Sequence, residues 1–293
     1  MLVAALFLVL LACESAVPQG EADLTCQGFT GQSLTESALP EREMLPKEQT
    51  TALGNEDAPA KRIAFTFDDG PQAPAGRKGC YPCTLYILDK LEEIGGKATF
   101  FVVGERAYTY PEAIRRAVAM GCEVGLHTYF HDTKYTLMTD AEIRADIKRT
   151  AKAIACAGVE GPALFRPLGG SVRAEQLDCI ASLGYSTVGW SIDPEDYKDR
   201  PLAADKFSQS PERRAKYEAF VEQRAELIVS SAEDGAIILM HDIYLSSLDI
   251  FARAADRLVD EGYELVTVSE LLGLGEVAPR PVVYLSKNEV FVP

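Results

Sequence analysis

The feature that most restricts how this chain can fold is an alternation. From Lys61 onward, short apolar strand-like runs take turns with segments of helical period. Ile63 to Phe67, Lys97 to Val103, Cys122 to Leu126, Ala163 to Phe165, Ser186 to Ile192, Ala236 to Met240 and Leu265 to Val268 read as strands. Between them, Thr84 to Ile94 sets Leu85, Leu88 and Leu91 on one face and stops at Gly95-Gly96. A helix after Pro111 closes at Gly121, and another ends at Gly184. Ser210-Pro211-Glu212 opens a long helix with Tyr217, Phe220, Val221 and Ile228 inward, and Leu248, Phe251, Ala255 and Leu258 share a face that ends at Gly262. Thr139 to Glu142 and Thr267 to Glu270 are capping boxes, in which the Thr hydroxyl and Glu carboxylate satisfy exposed amides reciprocally. Seven strands alternating with helices predict one α/β domain over 60–293, built on a parallel sheet or barrel.

The chain before that domain has another character. Leu2 to Ala12 is uncharged and apolar but about half the roughly 20 residues a spanning helix needs, which fits a signal peptide over 1–13. Leu10-Leu11-Ala12-Cys13 is similar to a bacterial lipoprotein processing box, in which Cys13 carries the lipid and tethers the protein to a membrane. Residues 14–59, rich in Ser, Thr, Gln, Glu and Pro, read as a flexible acidic linker. In an exported protein, Cys80-Tyr81-Pro82-Cys83 reads as a local disulfide, since the βαβ setting of a redox pair is missing. Lys+Arg 29 against Asp+Glu 44 argues against a nucleic-acid binder, because neutralising phosphates needs a basic face.

Polar residues cluster where the expected strands end. Asp68 and Asp69 follow the first strand, His127 and His131 the third, Arg166 the fourth, Asp193 the fifth and His241 the sixth. In a parallel barrel those ends converge on one face, which holds the active site. All three histidines of the chain lie there. Two imidazoles four residues apart are a weak metal signal alone. An Asp from another strand end would complete a His2Asp set with a position open for water. The plainer reading of Asp68-Asp69-Gly70-Pro71 is a turn, although two carboxylates at the end of an apolar strand are costly to leave unpaired.

Thr66 to Pro71, His127 to His131, Phe165 to Gly170, Trp190 to Tyr197 and Leu239 to Asp242 resemble, in order, the five motifs of the polysaccharide deacetylase family, carbohydrate esterase family 4. The resemblance implies a distorted (β/α)7-type barrel that hydrolyses acetyl groups on a glycan with a divalent metal, commonly zinc, with Co, Ni or Mn as alternatives. It implies that Asp69, His127 and His131 hold the metal and that Asp68 is the general base. His241 becomes the general acid, as the remaining group that titrates near neutrality unaided. Arg166 would orient Asp68, Asp193 would orient His241, and a backbone N–H near Gly169 would assist the oxyanion.

Two motifs depart from the pattern. Leu168-Gly169-Gly170 stands where Pro-Tyr-Gly is usual, and Tyr197 where Trp is usual. Both changes alter the groove wall, to which Tyr197 and Tyr129 are candidate sugar contacts, whereas Trp190 reads as core. Residues 198–223 read as an insertion or a surface helix beside the site. The expected substrate is N-acetylglucosamine in bacterial peptidoglycan, outside the cytoplasm at the cell envelope. Chitin oligomers, O-acetylated xylan, or a catalytically silent glycan-binding role are the alternatives.

Overall fold

The computed structural model describes residues 60–72, 83–132, 134–159, 161, 163–198, 200–201, 203–274 and 278–292. The expected signal segment, Cys13, the linker and Cys80 lie outside the described residues. In chain order the elements are β1 (Lys61–Asp68), α1 (Cys83–Ile94), β2 (Thr99–Val102), α2 (Gly104–Ala107), α3 (Pro111–Ala119), β3 (Glu123–Leu126), α4 (Asp140–Cys156), β4 (Leu164–Phe165), α5 (Ala174–Ser182) and β5 (Ser186–Val188). They continue with α6 (Ala203–Lys206), α7 (Pro211–Ser231), β6 (Ile237–His241), α8 (Leu245–Asp260), β7 (Tyr263–Leu265), α9 (Val268–Leu272), β8 (Val283–Tyr284) and β9 (Val290–Phe291).

Strands β6-β1-β2-β3-β4-β5 run parallel in that spatial order, and a bridge from Ile192 to Ile238 ties the chain just beyond β5 back to β6. The result is a curled, distorted barrel, as expected. Its walls follow from the two-residue side-chain period of a strand. Ile63, Phe65 and Phe67 of β1 face the helices, where Phe65 and Phe67 meet the ring of Phe251 edge-on at 5.0 and 5.2 Å. Ala64 faces the other way, packing with Phe101, Leu164, Val188 and Ile237, and with Val268 and Leu271 of α9. Both predicted capping boxes form, at the starts of α4 and α9. The long helix α7 buries Tyr217, Val221, Ala225 and Ile228, and its Glu222 bridges Arg253 and Arg257 of α8. The span 198–223 is thus partly helix packed on the domain. No helix among the described residues is long and apolar enough to cross a membrane.

Three expectations need correction. The seventh strand is Tyr263–Leu265 rather than Leu265 to Val268, because Thr267 caps α9, and it pairs with Lys61–Ile63 at the start of β1. Strands β8 and β9, a short antiparallel pair beyond β5, were not foreseen. Cys83 is a free, buried thiol rather than half of a local disulfide, whereas Cys156 is disulfide-bonded. Burial, then the charge of Asp242, pushes the Cys83 thiol up to about 12, so it stays protonated.

Candidate active site

Register sets the site. In the β1–β6 ladder Asp68 lies directly opposite His241, and in the β3–β4 ladder Leu126 lies opposite Phe165, so that His127 and Arg166 leave their strands side by side. Immediately after β1, Asp69 takes a left-handed conformation (φ 77°), which turns its carboxylate away from the course of the strand.

Three side chains then converge. Asp69 Oδ1 lies 2.7 Å from His131 Nε2 and 3.5 Å from His127 Nε2, and the three potential ligand atoms fall within 4.8 Å of one another. The Nδ1 of His127 lies 2.8 Å from the Arg166 carbonyl, which can only accept, so Nδ1 donates and the neutral ring keeps its lone pair on Nε2, toward Asp69. Asp69 Oδ1 is buried yet accepts no hydrogen bond of proper geometry among the described residues. A buried carboxylate oxygen without a donor, facing two imidazole nitrogens, fits a divalent cation. Burial alone would raise the Asp69 carboxyl, but His127 and His131 outweigh it and hold the group well below the usual carboxylate range.

Asp68 is held differently. The fully buried Arg166 donates from Nη1 to Asp68 Oδ1 (2.8 Å) and to Thr66 Oγ1 (2.7 Å), from Nε to the Val188 carbonyl (3.2 Å), and from Nη2 to the Gly189 carbonyl (2.6 Å). Its guanidinium stacks on Phe101 at 4.1 Å. With every hydrogen bond directed, the guanidinium is a fixed support, and Asp68 has one orientation. Across the site, His241 places Nδ1 2.8 Å from Asp196 Oδ1, leaving Nε2 for the cavity. Burial opposes charge on this ring, but Asp196, with Asp68 and Asp69 further off, raises it to about 9. Asp68, Asp69, His127, His131 and His241 line an open cavity of about 410 Å³ together with Leu168, Gly169, Trp190, Tyr197, Leu239 and Tyr244.

The polysaccharide deacetylase family profile matches residues 55–188. The chain is 36% identical over 227 residues to the peptidoglycan-N-acetylmuramic acid deacetylase PdaC of Bacillus subtilis, covering 78% of this chain and 41% of that protein. It is 31% identical to a peptidoglycan-N-acetylglucosamine deacetylase of Bacillus cereus, covering 72% of this chain and 88% of the relative. The chain belongs to the polysaccharide deacetylase family. Among solved members, the structure of Bacillus subtilis PdaC superposes with a TM-score of 0.59 at 34% identity, covering 72% of this chain and 90% of that one. A family 4 acetyl xylan esterase of Clostridium thermocellum, in complex with a cobalt ion, gives 0.61 at 29% identity, covering 78% and 100%. The chain spans about two fifths of the length of the first-named curated relative.

Within this deacetylase-family site, Asp68, Asp69, His127, His131, Arg166, Gly169, Tyr197 and His241 come together as the sequence suggests. Two residues do not. Asp193 does not meet His241: its Oδ1 accepts the Glu195 amide (2.8 Å) and its Oδ2 the Tyr197 hydroxyl (3.3 Å), so it shapes the turn that delivers Asp196. Tyr129 is no sugar contact. It is buried, with Arg149 stacked on its ring at 3.6 Å and its amide donating to Asp146 at 3.0 Å. Trp190, read as core, is half-buried and forms part of the cavity wall. Tyr244 also lines the cavity and was not singled out in the sequence, because it sits three residues past His241 in no motif.

Proposed function

We propose that this chain hydrolyses acetyl groups from the acetamido sugars of bacterial peptidoglycan in a metal-dependent reaction. The observation that carries the reading is the register of Asp68 against His241, which sets a proton acceptor and a proton donor on adjacent strand ends beside the Asp69, His127 and His131 cluster. A divalent cation held by those three residues would supply a Lewis acid for the acetyl carbonyl and would acidify the attacking water. Asp68, fixed by Arg166, takes the proton from that water. His241, charged at neutral pH through Asp196, gives a proton to the departing nitrogen from Nε2. An amine leaves far less readily than an alcohol unless it is protonated, so a histidine kept charged favours an N-acetyl over an O-acetyl substrate. The Gly169 backbone, which lines the same cavity, would offer its N–H to the oxygen that develops charge.

Acetate release from peptidoglycan, chitin oligomers and acetylated xylan, with and without chelator, tests this reading. Release from peptidoglycan that chelation abolishes is expected; full activity in metal-free protein, or glycan binding without turnover, would overturn it. Export and tethering through Cys13, supported by the apolar run ahead of it, belong to the same proposal. Cys13→Ala is expected to move the protein from the membrane fraction to the soluble one.

A further inference from the structure

Arg200 stands beside the cavity in a role that deacetylation chemistry does not require. Its guanidinium carbon lies 4.1 Å from the centroid of the Tyr244 ring, and that ring, part of the cavity wall, lies 6.0 Å from the His241 ring between centroids. The guanidinium also donates a hydrogen bond to the Tyr244 hydroxyl, and of its five N–H groups others remain for a further acceptor. Neighbouring cations of the same region are already engaged: Lys198 pairs with Glu195 at 3.0 Å and Arg224 with Glu195 at 3.6 Å. No carboxylate among the described residues forms an ion pair with Arg200, and the side chain is exposed. The cavity floor, by contrast, carries Asp68 and Asp69, with Asp196 behind His241. Arg166, the charged His241 and the divalent cation of the proposed reaction would offset those carboxylates, and Arg200 adds a further cation at the rim.

We propose that Arg200 recognises a carboxylate carried by the substrate sugar close to its acetamido group, so that this site prefers an acidic N-acetylated sugar over a neutral one. The inference rests on the deacetylase reading above, and it moves the expected unit of peptidoglycan from N-acetylglucosamine to its carboxylate-bearing neighbour. The two contacts, guanidinium to Tyr244 and Tyr244 to His241, keep the cation within about the span of one substituted monosaccharide from the proton donor. A carboxylate offers two oxygens that the planar guanidinium meets with two parallel N–H bonds, which hydroxyls of a neutral sugar cannot match in charge or geometry.

The test measures kcat/KM for acetate release by the full chain, loaded with metal, on two substrates. One is peptide-free glycan strands of peptidoglycan, with their lactyl carboxylates free; the other is the same strands with those carboxylates capped as methylamides. The wild type is expected to favour the free strands by about tenfold, mainly through KM, as charge-assisted hydrogen bonds are roughly twice as strong as neutral ones. Arg200→Ala should bring the ratio close to one, and Arg200→Lys, a point charge without the fork, should restore part of it. Mass spectrometry of the digested product should find the freed amine on the carboxylate-bearing sugar. Equal rates on the two strands in the wild type, the same preference in Arg200→Ala, or a freed amine on the neutral sugar would each overturn the proposal. Release from neither strand would instead overturn the deacetylase reading itself.

Discussion

Asp196 holds His241 by two bonds at once: its Oδ2 accepts the His241 amide at 2.9 Å while its Oδ1 lies 2.8 Å from the ring Nδ1. Ser247 donates a third bond to the same carboxylate at 2.5 Å. One buried group therefore fixes the backbone, the ring orientation and the charge of the proton donor.

That arrangement predicts a pH effect. Asp196→Asn keeps the shape and removes the charge that raises His241 to about 9. The alkaline limb of kcat/KM is expected to move toward acid by about one to three pH units, the usual influence of an adjacent opposite charge. In the metal-free protein the same pair contributes stability that is complete below the ordinary imidazole value of 6.5 and is lost as pH rises through about 9. Melting temperature against pH should show the decline in wild type and lose it in the variant. An unmoved alkaline limb in Asp196→Asn would show that His241 does not set it.

A second expectation concerns Asp68, which among the described residues forms its ion pair with the fully buried Arg166. Asp68→Asn should bind metal as the wild type does, because Asp68 lies outside the ligand cluster, yet lose about 10²–10⁴ in kcat. The change also strands a buried guanidinium, which costs about 3–5 kcal/mol of stability. Metal analysis, kinetics and denaturant unfolding on one preparation separate the two effects. Activity near wild type would remove Asp68 from the reaction.

His127 is the ligand whose loss should be felt most. It is buried, with Nδ1 committed to the Arg166 carbonyl, whereas His131 is 37% exposed on its side chain and can rearrange. His127→Ala is expected to abolish stoichiometric zinc binding by equilibrium dialysis. Wild type should gain about 2.7 kcal/mol of stability at a metal concentration a hundredfold above Kd, and the variant should gain none. Equal metal-induced stabilisation of the two proteins would sink the assignment.

What could be read from the sequence follows from how each feature is encoded. Apolar strand-like runs ending in a polar residue mark strand ends, so Asp68, His127, Arg166 and His241 are legible as one face in the sequence. Asp193 and Asp196 could not be told apart, because Glu195 between them adopts φ 53° and this left-handed turn decides which carboxylate meets His241. Tyr129 looked available because it sits between two ligands. Its burial depends on Arg149 and Asp146 of α4 and on Gly104, where a Cβ would lie 2.7 Å from the tyrosine ring. Such long-range packing leaves no local pattern. Strands β8 and β9 have two residues each, too few to show a period.

Beneath the site, Asp242 is buried with its Oδ2 accepting the Thr84 hydroxyl at 2.5 Å and its Oδ1 without a partner among the described residues. Gly70, next to Asp69, leaves room for this carboxyl; a Cβ there would fall 2.0 Å from Oδ2. Burial raises the Asp242 carboxyl, the Thr84 hydrogen bond lowers it, and the charge of Asp69 raises it again, to about 7 from 3.8. Since the folded carboxyl keeps its proton to higher pH than the unfolded one, the folded state binds more protons across that window, and this residue's contribution to stability falls as pH rises from 3.8 to about 7. Asp242→Asn, neutral at every pH, should therefore match the metal-free wild type near about pH 4 and exceed it increasingly toward about pH 8. Metal bound at Asp69 cancels part of the charge that Asp242 feels, so loading the wild type should flatten its curve toward that of the variant. Parallel melting curves for the two proteins across the range would show that Asp242 does not titrate in the folded state.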